Sequence, residues 1–160
     1  MIFVSVGTQL RFDRLIQWTS LARSKFCPDQ KAVVQKLDGK SFGLDCHHSF
    51  QSMEFEAHIR KCRFIVSHAG IGNIIAASEN SKPILIVPRS SQFGEHRNDH
   101  QIATARNLQN MQGVYVAHDQ KTFEEIFSKL NKGVHLQIPH QRSNQLGKCI
   151  KKYLQERFPS

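Results

Sequence analysis

The chain has 160 residues, 39% of them hydrophobic, and its 22 lysines and arginines against 13 aspartates and glutamates give a formal net charge of +9. That length suits one domain with a real hydrophobic core. No apolar run approaches the roughly 20 residues that a membrane-spanning helix needs. The first residues lack the basic flank and long apolar stretch of a signal peptide, so we expect a cytoplasmic protein. The four cysteines include no C-x-x-C pair, which predicts reduced thiols rather than a disulfide framework.

The positive charge would suit a nucleic acid, an anionic membrane surface or a phosphorylated substrate. The sequence contains neither the basic and aromatic signature of an RNA-recognition motif nor a zinc finger. We therefore expect no nucleic-acid partner.

Short apolar strands alternate with amphipathic helices along the chain. Apolar runs rich in β-branched residues predict strands at residues 2–6, 32–34, 64–67, 84–87 and 114–117. Helical spacing of apolar residues predicts helices at residues 12–25, 53–62, 71–78, 123–130 and 146–158. Another helix begins at Asn98 or Asp99, either of which can cap it, and reaches Leu108. Residues 37–52 are weakly patterned and predict a loop with a short strand.

This alternation predicts the α/β fold class. We expect a single Rossmann-like domain over residues 1–160, with a parallel sheet and helices on both faces. No repeat, low-complexity tract or internal linker interrupts it.

Two glycine turns follow predicted strands and are candidate ligand sites. Gly7 and Thr8 follow the first strand, where a glycine lets the backbone approach a ligand and a threonine can donate a hydrogen bond. The second turn opens a helix whose first N–H groups could bind a diphosphate; its candidate residues are His68, Gly70, Gly72 and Asn73. A tight turn around a buried histidine fits the same residues. The third glycine of a dinucleotide-binding fingerprint is missing, and no P-loop lysine follows.

A dense polar segment, residues 95–101, follows Pro88 and Arg89. It predicts a loop whose donors and acceptors match sugar hydroxyls and phosphates, with a solvated helix start as the alternative. His96 and His100 have the i,i+4 spacing of a metal pair, but Arg97 stands where the zinc-protease pattern needs glutamate. An N-cap at Asn98 would also leave the first histidine outside the helix, so we expect no metal.

The remaining polar residues do not predict one defined functional role. Cys46, His47 and His48 are adjacent and cannot all converge on one ion, so a polar loop is expected there. Asp13 and Arg14 read as solvated helix residues. The titration range of His68 allows a general base as well as a phosphate contact, and these alternatives stay open.

Together these segments resemble the C-terminal-domain family of glycosyltransferase family 28, and most of all its PssE-type subunits of exopolysaccharide and capsule synthesis. The resemblance covers nearly the whole chain and rests on four segments: residues 4–8, residues 67–72, Lys82 and Pro83 with residues 87–89, and residues 94–105. The last segment is the most specific.

The resemblance implies the C-terminal half of a GT-B glycosyltransferase that binds a UDP-sugar and uses no cofactor. It implies transfer to a polyprenyl-diphosphate-linked saccharide. GT-B chemistry takes place between two domains, and this chain has the length of one. We therefore expect a membrane-associated PssD-like subunit as partner, which would place the chain at the cytoplasmic membrane face.

The resemblance also assigns residues by position. The catalytic candidates are His68, Glu95 and His96. The substrate-binding candidates are Gly7, Thr8, Gly70, Gly72, Asn73, Arg89, Asn98, His100 and Gln101. One departure concerns the ribose: family members carry a glutamate where this chain has Ala76, and a methyl group cannot accept those hydrogen bonds. Glu79 is the candidate substitute.

Two rival functions follow from the sequence. The first is a non-catalytic activator that only stabilises or stimulates the partner, which the alanine at position 76 favours. The second is a NAD-binding oxidoreductase domain, which the missing third glycine disfavours. The predicted helix at residues 146–158 could dock on the partner or pack on its own sheet, and its lysines could favour an anionic membrane surface.

Overall fold

The computed structural model describes residues 1–7, 10–109 and 111–133. Within these ranges six strands form one parallel sheet in the order β3-β2-β1-β4-β5-β6. The strands are β1 (Ile2–Ser5), β2 (Ala32–Gln35), β3 (Asp45–His47), β4 (Ile65–His68), β5 (Ile84–Val87) and β6 (Val114–Val116). The predicted parallel α/β sheet is confirmed.

The described part of the chain contains five α-helices, of which four lie between strands and the last follows β6. They are α1 (Asp13–Phe26), α2 (Ser52–Lys61), α3 (Ile71–Glu79), α4 (His100–Leu108) and α5 (Gln120–Asn131). A short 3₁₀ turn covers Ser91–Phe93. None of the described helices has the length and hydrophobicity to cross a membrane. The helix predicted at residues 146–158 lies outside the described residues.

The sheet has a hydrophobic cluster on each face, because neighbouring residues of a strand point to opposite sides. On β4, Val66 packs with α1 and α5, whereas Ile65 packs with α2, α3 and α4. Phe127 of α5 and Ile74 of α3 are fully buried examples from the two faces. The expectation of helices on both faces is therefore confirmed.

Two local predictions need correction. Cys46 and His47 belong to the edge strand β3 rather than to a polar loop, and β3 is the short strand predicted within residues 37–52. α4 begins at His100, and Asp99 does not cap it with its side chain. Its Oδ1 instead accepts a hydrogen bond from the Ser91 N–H at 2.8 Å, because a short polar side chain can bond a nearby turn as readily as a helix end.

Candidate functional site

The carboxyl ends of β1, β4 and β5 meet at one edge of the sheet. β1 leads towards Gly7, β4 ends at His68, and β5 leads into Pro88 and Arg89. The chain builds outward from β1 to β2 and β3 on one side, and from β4 to β5 and β6 on the other. Open α/β sheets bind ligands outside the strand ends at such a switch point. The sequence therefore places its candidate residues at the ligand-binding edge of this fold.

His68 lies at the switch point with its imidazole Nδ1 towards the backbone of β1. Nδ1 is 3.4 Å from the Ser5 carbonyl oxygen and 3.5 Å from the Ser67 hydroxyl. Burial, and then the Arg89 cation, lower the pKa of His68 to about 4, so the ring is neutral at pH 7. A carbonyl oxygen only accepts hydrogen bonds, which favours the tautomer protonated on Nδ1. Nε2 then carries a lone pair that can accept a proton or a hydrogen bond.

The His68 ring occupies the space beside Gly7 and Gly70. A Cβ added to Gly70 would lie 2.3 Å from Nε2, and one added to Gly7 would lie 2.9 Å from Cε1. Gly7 also has a φ of 80°, which favours glycine. The sequence predicted that Gly7 lets the backbone approach a ligand, but the group for which Gly7 and Gly70 make room is the imidazole, as in the alternative of a tight turn around a buried histidine. Thr8, predicted together with Gly7, lies outside the described residues.

The first turn of α3 combines open backbone with an anchored side chain. Gly70 stands at the N-cap position, where glycine brings no side chain to cap the helix. A Cβ on Gly72 would meet open space. Asn73 uses its Nδ2 to donate to the hydroxyls of Ser5 at 3.0 Å and Ser67 at 2.7 Å. That amide nitrogen therefore ties α3 to β1 and β4, a role that the resemblance did not imply.

A row of buried polar residues under the site was missed from the sequence. Ser5, Ser67 and Gln35 are 1%, 0% and 7% exposed. Ser5 donates to Gln35 Oε1 at 3.2 Å, and Ser67 donates to the Ser5 carbonyl at 3.0 Å. Buried polar groups need such partners. A polar residue at or next to the end of an apolar strand is the signal that could have revealed them.

Gln101 joins two of the loops at the site. Its Oε1 accepts hydrogen bonds from the backbone N–H groups of Ala69 and Arg89, each at 3.2 Å. The first group follows β4 and the second follows β5. The amide oxygen of Gln101 therefore fixes the spacing of these two strand ends from the first turn of α4.

Arg89 is buried, at 3% exposed, and its guanidinium faces the segment that follows β1. Its Nη2 donates to the carbonyls of Val6 and Leu10, both at 2.6 Å. Its Cζ lies 5.2 Å from the centre of the Phe12 ring. Nε has no hydrogen-bond partner among the described residues, and burial lowers the pKa of Arg89. The structure thus gives this predicted substrate-binding residue a structural task.

Glu95 lies in the segment between β5 and α4, residues 88–99, which we call the β5–α4 loop. Its carboxylate forms an ion pair with Arg14 at 2.7 Å, and the two side chains are 10% and 16% exposed. Arg14 is therefore not the solvated helix residue that the sequence predicted. The pairing could not be read from the sequence, because the partners are 81 positions apart.

His96, Asn98 and His100 lie at the outer part of this loop and the start of α4. The Asn98 N–H donates to His96 Nδ1 at 3.4 Å, and the His100 N–H donates to Asn98 Oδ1 at 3.3 Å. His96 precedes α4, as expected from the sequence, so the two histidines do not share a helix face. After burial and the Arg89 cation, His96 is a further and smaller cause of the lowered pKa of His68.

The described residues contain no group of three His, Cys, Asp or Glu side chains placed to hold a metal ion. Ala76 lies in the second turn of α3 and is half-buried, whereas Glu79 is the last residue of that helix and is exposed. At a rise of about 1.5 Å per residue, Glu79 lies about 4.5 Å further along the helix than Ala76.

Comparison with protein families identifies one match. The model of the glycosyltransferase family 28 C-terminal domain matches residues 1–155. No curated protein sequence matches the chain.

Several solved structures share the fold. The glycotransferase of kitacinnamycin has a TM-score of 0.65 and 16% identity, covering 95% of this chain and 39% of its own. MurG of Acinetobacter baumannii has a TM-score of 0.62 and 14% identity, and the match covers 92% of this chain and 44% of the MurG chain. The solution structure of ALG13 has a TM-score of 0.58 and 14% identity, and the match covers 94% of this chain and 96% of the ALG13 chain. The chain spans about two fifths of the first two structures, and at these identities the likeness shows the fold alone.

Proposed function

The chain belongs to the glycosyltransferase family 28 C-terminal domain family, and from that premise we propose that it is the donor-binding subunit of a two-component glycosyltransferase. The reaction is the transfer of a sugar from a UDP-sugar to a polyprenyl-diphosphate-linked saccharide in exopolysaccharide or capsule synthesis. The partner is a membrane-associated PssD-like subunit that receives the acceptor and holds this chain at the cytoplasmic membrane face. The PssE-type resemblance of residues 94–105 supports this pairing.

The observation that carries the proposal is the neutral imidazole of His68 beside the open start of α3. The ring lies between Gly7 and Gly70 at the switch point of the sheet. The ring lies where a Cβ on either glycine would stand, and its Nδ1 is 3.4 Å from the Ser5 carbonyl oxygen, so the imidazole is in place before a ligand arrives. A preorganised group at the ligand-binding edge is what a transfer reaction requires.

The start of α3 suits the diphosphate of the donor. Its first N–H groups have no partner within the helix, and the helix dipole adds about half a positive charge there. Gly72 leaves the approach to these groups open. In the proposed reaction they stabilise the departing UDP, a task that a metal ion performs in other glycosyltransferases.

His68 suits a hydroxyl group better than a phosphate. The Nε2 lone pair of a neutral ring would repel a phosphate oxygen but accepts a hydrogen bond from a sugar or acceptor hydroxyl. The pKa of about 4 keeps that lone pair free at pH 7. We assign His68 the role of orienting a hydroxyl and, where that hydroxyl is the nucleophile, of accepting its proton.

The second candidate function is the non-catalytic activator. Ala76 favours it, because the helix that would receive the donor carries no carboxylate for the ribose at that position. The occupied carboxylate of Glu95 favours it as well. In this alternative the fold only stabilises the partner subunit, and the site binds no UDP.

Calorimetric titration with UDP and a UDP-sugar tests the proposal, first with the chain alone and then with its partner subunit. We expect binding that His68→Ala weakens by about tenfold or more. His118→Ala is the matched control, because it removes an exposed imidazole that follows β6. Binding only in the presence of the partner would mean that the site is completed across the interface. Absence of binding in both states would overturn the donor role and leave the activator.

A further inference from the structure

Arg14, in the first turn of α1, is bonded to the β5–α4 loop at three points. Its Nε donates to Glu95 Oε1 and its Nη2 to Glu95 Oε2, each at 2.7 Å. Nη2 also donates to the Pro88 carbonyl at 3.0 Å. Two parallel charge-assisted bonds fix the orientation of both groups as well as their distance. Low exposure shields the pair from the solvent that weakens surface ion pairs.

Aromatic rings enclose the same guanidinium. Its Cζ lies 4.8 Å from the ring centres of Trp18 and Phe93 and 5.3 Å from that of Phe12. A planar guanidinium can stack on rings and bond a carboxylate at two points together, whereas a lysine ammonium cannot. Phe93 belongs to the loop and is 59% exposed, so the stack is a second attachment of the loop to α1.

The carboxylate of Glu95 has little capacity left for a substrate. Arg14 bonds both oxygens, and the Ser90 N–H also donates to Oε2 at 3.1 Å. The Glu95 N–H donates to the Ser90 carbonyl at 3.2 Å, which closes the loop on itself. These contacts are those of a side chain that holds a loop, not of one that meets a sugar.

Arg89 joins the same two regions in the opposite direction, from the end of β5 to the segment after β1. It follows β5 and bonds the carbonyls of Val6 and Leu10, which follow β1. The two arginines therefore tie β5 and its loop to the β1 loop and α1. In the sheet, β1 and β5 lie on either side of β4, which ends at His68. The cross-links thus join the segments that flank this histidine.

We propose that Arg14 is a positioning residue of the active site, which acts through Glu95 to hold the β5–α4 loop beside the strand ends that flank His68. The inference rests on the proposed function. It moves Glu95 from the catalytic candidates to the positioning residues.

The test compares Arg14→Lys, Glu95→Gln and the double variant with the wild-type chain. Arg11→Lys is the matched control, because its ion pair with Asp13 is more exposed, at 58% and 30% for the two side chains. Amide hydrogen exchange of residues 88–99 is measured on the chain, and donor KM and kcat are measured with the partner subunit. The exchange readout needs no substrate, so it separates failure of this inference from failure of the proposed function.

We expect each single variant to speed exchange in the loop by about tenfold or more. Donor KM should rise by about tenfold while kcat stays within about threefold, because the pair touches no reacting atom. The double variant should be no worse than the poorer single one, since both remove the same pair. Phe93→Ala removes an exposed ring of the stack and should give the same pattern more weakly, without disturbing the core.

Two results would overturn the inference. One is exchange in the loop that matches the wild type and Arg11→Lys in all of these variants. The other is a loss of about a thousandfold in kcat in Glu95→Gln with unchanged KM and exchange, which would make Glu95 a catalytic residue after all.

Discussion

The segment from the end of β4 into the first turn of α3, residues 68–73, here called the turn, and the β5–α4 loop meet at the same sheet edge but are held by different means. The turn contains two glycines and one histidine, and it is held by bonds to neighbouring strands through His68 and Asn73. The loop is dense in polar residues, and many of them bond its own backbone, as Asp99 does with Ser91. The loop is tied to α1 through Glu95.

The difference shows that a segment rich in polar residues is not by itself a ligand-binding site. A short polar side chain next to a turn can satisfy the backbone beside it. A buried polar group at a strand end needs a partner from another element. Substitutions of the buried, bonded residues of the turn should therefore cost global stability, whereas those in the loop should cost little stability and act on ligand binding through local motion.

Acid should expose the largest difference between the two regions. The pKa of His68 is about 4 in the folded chain against an ordinary value of 6.5, so the unfolded chain binds more protons between these values. The contribution of the neutral His68 ring to the free energy of unfolding is fully present above about pH 6.5. It is lost as pH falls towards about 4, by up to roughly 3 kcal/mol. Urea unfolding at pH 7 and at pH 4.5 measures it. His68→Asn should flatten this decline and His118→Asn should not; equal slopes in all three chains would contradict the assignment.

Gly70→Ala should have the next largest effect on stability. Its Cβ would collide with the His68 ring at 2.3 Å, and overpacking of this kind costs about 1–3 kcal/mol. Gly72→Ala is the matched control in the same helix, where the added methyl meets open space and should stabilise by up to about 1 kcal/mol. Thermal unfolding and UDP titration measure both. In a His68→Ala background the cost of Gly70→Ala should fall to the smaller cost of alanine in place of glycine at an N-cap, and an undiminished cost would place the collision elsewhere.

Asn73→Ala and Asn98→Ala compare the same side chain in the two regions. The first removes both bonds from Nδ2 to the buried hydroxyls of Ser5 and Ser67, which should cost about 1–3 kcal/mol. The second removes one bond within an exposed loop and should change stability by less than about 0.5 kcal/mol. Chemical denaturation of both variants gives the values. Equal losses would mean that the loop is as firmly built as the turn.

The sheet could be predicted from the sequence because a buried parallel strand is an uninterrupted apolar run, as in Ile84–Val87. Helices α1 and α5 followed from apolar spacing for a similar reason. The position of the glycine turn at a strand end was also predictable, because a helix had to begin there. These features depend on residues close together in the chain.

The contacts that build the site are of another kind. The ring of His68 fills the space beside Gly7, and Arg14 pairs with a carboxylate 81 positions away. No local pattern signals such partners, because they are chosen by the packing of β1, β4 and β5 at one edge. The sequence therefore named Glu95 without its partner, and the role of that residue changed once the pair was seen.

Gly70 at the N-cap of α3 has a consequence for folding as well as for chemistry. A helix end closed by serine or aspartate is complete in the empty protein, whereas α3 has no side-chain cap of its own, and under the proposed function an anion would supply it. In the proposed function the diphosphate of the donor would thus cap the N-terminus of α3. The melting temperature would then depend on UDP concentration, with a gain of about 2.7 kcal/mol at a hundredfold excess over Kd. The abundance of this fold in the cell would follow the supply of its substrate.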